Sequence, residues 1–252
     1  MVALQCHEQG EMTAPFPMGI PDNIDDARLI AASDWAAFID VRDMVNHWDR
    51  PGWHGGRRSY HWILSFVENA ELSAMAKACS PSYSGLAFDQ VPLDALHLTV
   101  RRVGFTDEVD KDALDTIFAR TESLCSGLGD FSLTVGPLAA SRGAIRFSVA
   151  PWSRLFEIYD LIGTASQSVT GRKSASARDS FRPHIGIAYS RARQDASPLH
   201  ARVAQYREMS PLTCKVGGIE LVELRRESAA YRWDVLRKID FSFNPVHSQP
   251  LP

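Results

Sequence analysis

The feature of the sequence that most constrains its fold is an order of strand-like and helical segments that occurs twice. In the first half, an aromatic and β-branched run from Tyr60 to Val67 precedes an alanine-rich stretch, Ala70 to Ala78, and a second apolar run, Leu96 to Val103. Such runs are typical of strands, and the alanine-rich stretch favours a helix. The second half repeats this order, with an extra strand at its start, in the segments 131–135, 144–149, 151–162 and 184–189. The repeat predicts an α+β protein with two pseudo-symmetric lobes of mostly antiparallel sheet, flanking helices and a central cleft.

Other segments set the expected boundaries of the domain. Residues 1–25 have no periodic apolar pattern and are predicted to be disordered, which leaves 26–245 as a single bilobal domain. Thr106 is the expected N-cap of a helix from Lys111 to Leu124. The polar segment from Ser166 to Arg182 is predicted to be a loop. One or two helices are expected within 25–48, and a helix and three strands within 198–206, 213–216, 219–225 and 231–241.

Charge and cysteine content exclude several classes of function. Lys and Arg total 27 against 30 Asp and Glu, so the overall field does not attract nucleic acid and an anionic ligand needs a local basic cluster. The four cysteines contain no CxxC pair, which gives no indication of a zinc site or a disulfide framework. No run approaches 18 consecutive apolar residues. These features predict a cytoplasmic protein that works without a membrane. No cofactor is implied, and a monomer is favoured.

Two strand-like segments each begin with a histidine followed by small or polar residues. In the first, the two-residue period of a strand places His97, Thr99 and Arg101 on one face and the intervening apolar residues toward the core. In the second, the same period groups His184 with Gly186 and places Tyr189 on the opposite face. Two polar surfaces suited to a small ligand are therefore expected, one in each half.

The segments His97-Leu98-Thr99-Val100 and His184-Ile185-Gly186-Ile187 resemble the paired His-x-Thr/Ser signatures of the two-histidine phosphoesterase superfamily, in particular its 2'-5' RNA ligase-like branch. The similarity continues through YHWILSF, LHLTVRRVGFTDEV and FRPHIGIAYS to ELVELRRESAAYRWDVL, so it covers roughly residues 60–241. A single H-x-T is common by chance. Two such motifs on predicted strands, one in each half, form a much more specific pattern.

The resemblance implies a metal-independent enzyme that hydrolyses a 2',3'-cyclic phosphate or a 2'-5' phosphodiester of RNA ends or a small nucleotide, with reverse ligation possible. His97 and His184 would be the catalytic acid/base pair, each with an ordinary histidine pKa near 6.5. Thr99 would donate its hydroxyl to a phosphate oxygen. Arg101 and Arg182 would contribute charge to the phosphate site, with Arg178 nearby.

Gly186 departs from the family pattern, because the family usually has Ser or Thr at this position. Loss of one such donor typically lowers the rate on the order of 10² to 10³, unless the Gly186 backbone N–H replaces it. Two alternatives to a 2',3'-cyclic phosphodiesterase therefore remain open. One is a non-catalytic nucleotide- or RNA-binding module, and the other is a family member recruited to a specialised phosphorylated metabolite.

Overall fold

The computed structural model describes residues 19–171 and 180–242. Residues 1–18 of the segment expected to be disordered therefore lie outside the described residues, as does Arg178. Ile24 already belongs to the folded body, since its carbonyl accepts a hydrogen bond from the Trp152 amide at 2.7 Å and its side chain packs against the core. No helix in the described part of the chain is both long and apolar enough to cross a membrane.

Five α-helices occur in the described residues. They are α1 (Ala27–Ile39), α2 (Ala70–Ala78), α3 (Lys111–Cys125), α4 (Trp152–Thr170) and α5 (Ser197–Ala204). Helix α1 is capped by Asp26, whose carboxylate accepts from the amides of Arg28 and Leu29. The prediction that Thr106 caps α3 is wrong: Asp110 accepts from the Ala113 amide at 2.7 Å and is the N-cap.

Helix α4 is longer than the sequence indicates. The polar segment predicted to be a loop from Ser166 remains helical through Thr170. Within it, the hydroxyls of Ser166 and Thr170 bond to carbonyls of the preceding turn, which satisfies these polar groups inside the helix. The helix ends at Gly171, which adopts the left-handed conformation with φ of +66°.

The strands form two larger antiparallel sheets and one short pair. Their bounds are β1 Asp43–Met44, β2 Ser59–Ser65, β3 Phe88–Gln90, β4 His97–Phe105, β5 Phe131–Ser141, β6 Ala144–Ala150, β7 His184–Ser190, β8 Gln194–Asp195, β9 Leu212–Val216, β10 Gly218–Glu227 and β11 Ala230–Asp240. The four-stranded sheet has the order β11-β10-β2-β4, and the five-stranded sheet has the order β3-β7-β6-β5-β9. Strands β1 and β8 pair separately.

The predicted α+β architecture with two sheet lobes is confirmed. One continuous apolar core joins the lobes and contains Trp62 and Leu98 of the first sheet together with Phe147 and Ile185 of the second. The histidine-bearing strands β4 and β7 lie next to each other where the sheets meet. A cleft between the lobes therefore receives side chains from both histidine motifs.

Candidate active site

A cavity of about 620 Å³ in the cleft contains both predicted histidines. Its volume lies within the range of pockets that enclose a small ligand. Four arginines and four histidines line it, and no carboxylate of the described residues does. The cavity therefore favours an anionic ligand. Its basic and histidine residues are Arg50, Arg101, Arg102, Arg182, His47, His61, His97 and His184.

His97 and His184 are held in the same way. Nδ1 of His97 lies 2.9 Å from the Ala95 carbonyl, and Nδ1 of His184 lies 2.7 Å from the Arg182 carbonyl. A carbonyl only accepts, so each Nδ1 carries the proton and donates it. Each Nε2 is then the ring nitrogen that can take or give the catalytic proton. Both imidazoles are thus fixed in the tautomer that proton transfer from Nε2 requires.

The pKa values of the two histidines differ from the sequence expectation of about 6.5. Burial lowers the pKa of His97, and burial together with the nearby Arg146 charge lowers that of His184 to about 3. In the ligand-free protein both rings are therefore neutral at physiological pH. A bound phosphate anion opposes this shift, because a nearby negative charge favours the imidazolium.

A β-bulge in β4 changes which arginine shares the face of His97. Opposite β2, Thr99 pairs with Ile63 and Arg101 pairs with Trp62, so Val100 is an extra residue in the ladder. Arg101 is consequently placed on the Trp62 face, where its guanidinium stacks 4.0 Å from the Tyr159 ring and donates to the Tyr159 carbonyl. The expectation that Arg101 lies on the His97 face is wrong, although it still reaches the cavity wall.

Arg102 takes the place expected for Arg101. It pairs with His61 of β2, and both residues line the cavity. Its guanidinium lies over the Phe105 ring and 3.7 Å from Glu108.

An equivalent bulge occurs in β7. Opposite β6, Gly186 pairs with Arg146 and Ala188 pairs with Ile145, so Ile187 is the extra residue. Tyr189 then points to the face of His184, contrary to strict alternation, and lines the cavity. In both motifs the extra residue lies three positions after the histidine. The residue five positions after the histidine, Arg102 in β4 and Tyr189 in β7, faces the cleft.

The Tyr189 hydroxyl lies beside the position where the second motif lacks one. A Cβ atom placed on Gly186 would be 3.3 Å from the Tyr189 hydroxyl oxygen. A serine or threonine side chain there would crowd the tyrosine ring. Glycine at 186 therefore makes room for a phenol that occupies the same region of the cavity.

The remaining predicted site residues, Thr99, Gly186 and Arg182, also line the cavity. Arg182 is buried, and its guanidinium lies 5.3 Å from the centre of the Trp152 ring. Among the described residues, no group of three or more His, Cys, Asp or Glu side chains is arranged to hold a metal ion.

With this geometry in place, comparison with known proteins is informative. Residues 72–228 match the family model of the 2'-5' RNA ligase superfamily. The chain belongs to this superfamily. No curated protein matches the sequence.

Solved structures agree on the fold of this superfamily member. A crystal structure titled only as a phosphoesterase has a TM-score of 0.55 at 14% identity and covers 74% of this chain and 99% of its own. LigT of E. coli without ligand has a TM-score of 0.54 at 14% identity, and the match covers 75% of this chain and 99% of LigT. TT0787 of Thermus thermophilus has a TM-score of 0.54 at 17% identity, and the match covers 74% of this chain and 98% of TT0787.

Sequence analysis missed several residues of the cavity wall. His47, Arg50 and Trp53 precede the family-matched region and carry no motif. Arg101 and Tyr189 were assigned to the wrong faces and Arg102 was given no role, because strict alternation along a strand does not allow for a bulge. The polar residue five positions after each motif histidine was the one signal available in the sequence.

Proposed function

We propose that this chain is a metal-independent phosphoesterase that opens a 2',3'-cyclic phosphate or a 2'-5' phosphodiester at an RNA end or in a small nucleotide. The observation that carries the proposal is the equivalent presentation of His97 and His184, with each Nδ1 bonded to the carbonyl two residues upstream. LigT of E. coli, which shares the fold, has been crystallised with phosphate and with ATP. The basic lining of the cavity supports a ligand of this kind.

In the proposed reaction, water attacks the phosphorus atom and a P–O bond to the ribose breaks. The neutral Nε2 of one histidine takes the proton of the water, and the Nε2–H of the other gives a proton to the leaving ribose oxygen. The reverse ligation exchanges these roles. Because both pKa values are low in the free protein, the substrate phosphate must supply the negative charge that keeps one ring protonated.

Two hydroxyl groups stabilise the charge that grows on the non-bridging oxygens. Thr99 supplies one from β4, and Tyr189 supplies the other in place of the hydroxyl missing at Gly186. Burial and the proximity of Tyr231 raise the pKa of the Tyr189 phenol, which keeps it a protonated donor.

The decisive experiment measures turnover of the four 2',3'-cyclic nucleotides and a 2'-5' dinucleotide in EDTA. Wild type, His97→Ala and His184→Ala are compared, and we expect both substitutions to remove most of the activity. Tyr189→Phe should lower kcat on the order of 10²-fold, the size typical of one lost donor. Tyr231→Phe is its matched control, because Tyr231 lines the same cavity but its hydroxyl bonds to His47 at 3.1 Å. Full activity in either histidine variant would refute the proposed mechanism.

A nucleotide-binding module without catalysis is the second candidate. The absence of a side-chain hydroxyl at Gly186 favours it. Under this alternative the wild type binds nucleotides but turns over none of the substrates in the same assay.

A further inference from the structure

A segment that precedes the family-matched region closes one side of the active-site cavity. We call residues 45–53 the strap. It follows β1, and its backbone joins the five-stranded sheet where the Val45 amide donates to the Arg142 carbonyl and the His47 amide donates to the Ser190 carbonyl, both at 2.7 Å. On the other lobe, the Arg226 guanidinium of β10 donates to the Trp48 carbonyl at 2.7 Å. The strap is therefore fixed to both lobes.

His47 fixes the inner side of the strap. Its ring stacks on Tyr189 at a centroid distance of 4.0 Å, and its Nε2 lies 3.1 Å from the Tyr231 hydroxyl. Burial, together with the charges of Arg50 and Arg226, lowers the pKa of His47 to about 2. The neutral ring places no positive charge beside Arg50, whose guanidinium lies next to Nδ1.

Arg50 is held by His47 at the cavity wall. Its Nε donates to the His47 carbonyl at 3.2 Å, and its Nη2 lies 3.4 Å from His47 Nδ1. Among the residues that the structure describes, no carboxylate forms an ion pair with Arg50. A guanidinium has five N–H donors, so three remain after these two contacts. The arrangement presents an oriented cation without an acidic partner to the cavity.

On the strands that carry the motif histidines, Thr99 and Tyr189 are the donors proposed for the reacting phosphate, and Arg102 also lines the cavity. Arg50 comes from the strap rather than from β4 or β7, and it adds a further cation to the cavity wall. Guanidinium is suited to two-pronged contacts with phosphate oxygens. The strap thus provides an oriented cation that can bind a second phosphate of the same ligand.

We propose that Arg50 binds a second phosphate of the substrate, so that the site prefers a nucleotide that carries a phosphate on its 5' side as well as the reacting one. This inference rests on the proposed function and narrows its substrate class. The terminal nucleotide of an RNA chain has this chemistry, and a nucleoside with one cyclic phosphate does not.

The test measures binding rather than turnover, so that it does not depend on catalysis. Dissociation constants of 3'-AMP and of adenosine 3',5'-bisphosphate are measured by calorimetry for wild type, Arg50→Ala and Arg193→Ala. We expect wild type to bind the bisphosphate roughly tenfold more tightly than the monophosphate, as one added charge-assisted contact provides. In Arg50→Ala the ratio of the two constants should fall to near one.

Arg193→Ala is the matched control and should keep the wild-type ratio. It removes one positive charge from an exposed side chain that pairs with Asp43, just before the strap, and Arg193 does not line the cavity. Equal affinities in wild type, no binding of the bisphosphate, or an equal loss for both ligands in Arg50→Ala would each overturn the inference. Turnover of cyclic nucleotides with no preference for the second phosphate would leave the phosphoesterase proposal standing alone, whereas the expected ratio without turnover would leave the Arg50 site alone.

Discussion

Replacement of His61 by leucine should make the protein less sensitive to acid. His61 lies on β2 at the cavity wall, and neither ring nitrogen has a hydrogen-bond partner among the described residues. Burial lowers its pKa to about 3, and the charges of Arg102 and Arg50 contribute to the shift. The folded protein therefore keeps this ring neutral at pH 5, whereas the unfolded chain protonates it.

The size of the effect follows from this difference in proton uptake. One pKa unit corresponds to about 1.4 kcal/mol, and pH 5 lies about one and a half units below an unperturbed histidine pKa near 6.5. Protonation of the unfolded chain at His61 therefore lowers the free energy of unfolding by about 2 kcal/mol at pH 5. At pH 7.5 this contribution is close to zero. The stability linked to His61 is thus lost as the pH falls through 6.5.

Urea unfolding followed by tryptophan fluorescence at pH 7.5 and pH 5 measures the effect. Between these pH values, His61→Leu should lose about 2 kcal/mol less stability than wild type. The other buried histidines titrate in both proteins and cancel in this comparison. His54→Leu, at an exposed loop position, is the matched control. If His61→Leu and wild type lose the same stability, then burial does not hold His61 neutral and the reasoning is wrong.

Three further outcomes are expected. Thr99→Val should lower kcat for a 2',3'-cyclic nucleotide on the order of 10²-fold in steady-state assays, while Thr213→Val on the edge strand β9 should leave it unchanged. Asp34→Ala should lower the free energy of unfolding by about 3–5 kcal/mol, because it leaves the buried Arg146 without its two-pronged partner at 2.9 and 3.1 Å; Asp43→Ala, which breaks an exposed ion pair, should cost less than about 1 kcal/mol. Activity should be unaffected by a chelator, and loss in EDTA followed by recovery with a divalent metal would contradict the two-histidine mechanism.

Much of the fold could be predicted from the sequence, because its signals are local. Alternating and β-branched segments located β2, β4 and β7, and the two motifs placed His97 and His184 on two strands, one in each half. The start of a helix was harder to predict where more than one residue upstream could serve as its N-cap. Asp110 replaces Thr106 as the N-cap because its carboxylate lies one residue before the helix.

The faces of the site strands could not be predicted in the same way. The extra residues Val100 and Ile187 are ordinary β-formers, and a bulge depends on how the neighbouring strand is hydrogen-bonded rather than on the residue itself. The contribution of His47 and Arg50 was invisible for a related reason. Their roles depend on contacts with residues far along the chain, such as Ser190 and Tyr231, which no local pattern encodes.

The attachment of the strap to both lobes has a consequence for how ligands enter and leave. Any outward swing of one lobe from the other at this end would break the bonds to Ser190 and Arg226 together with the stacking of His47 on Tyr189. These contacts therefore hold the two lobes at a set spacing at this end of the cleft before a ligand binds. Substrate and product are therefore expected to exchange without a change in the spacing of the two lobes at this end.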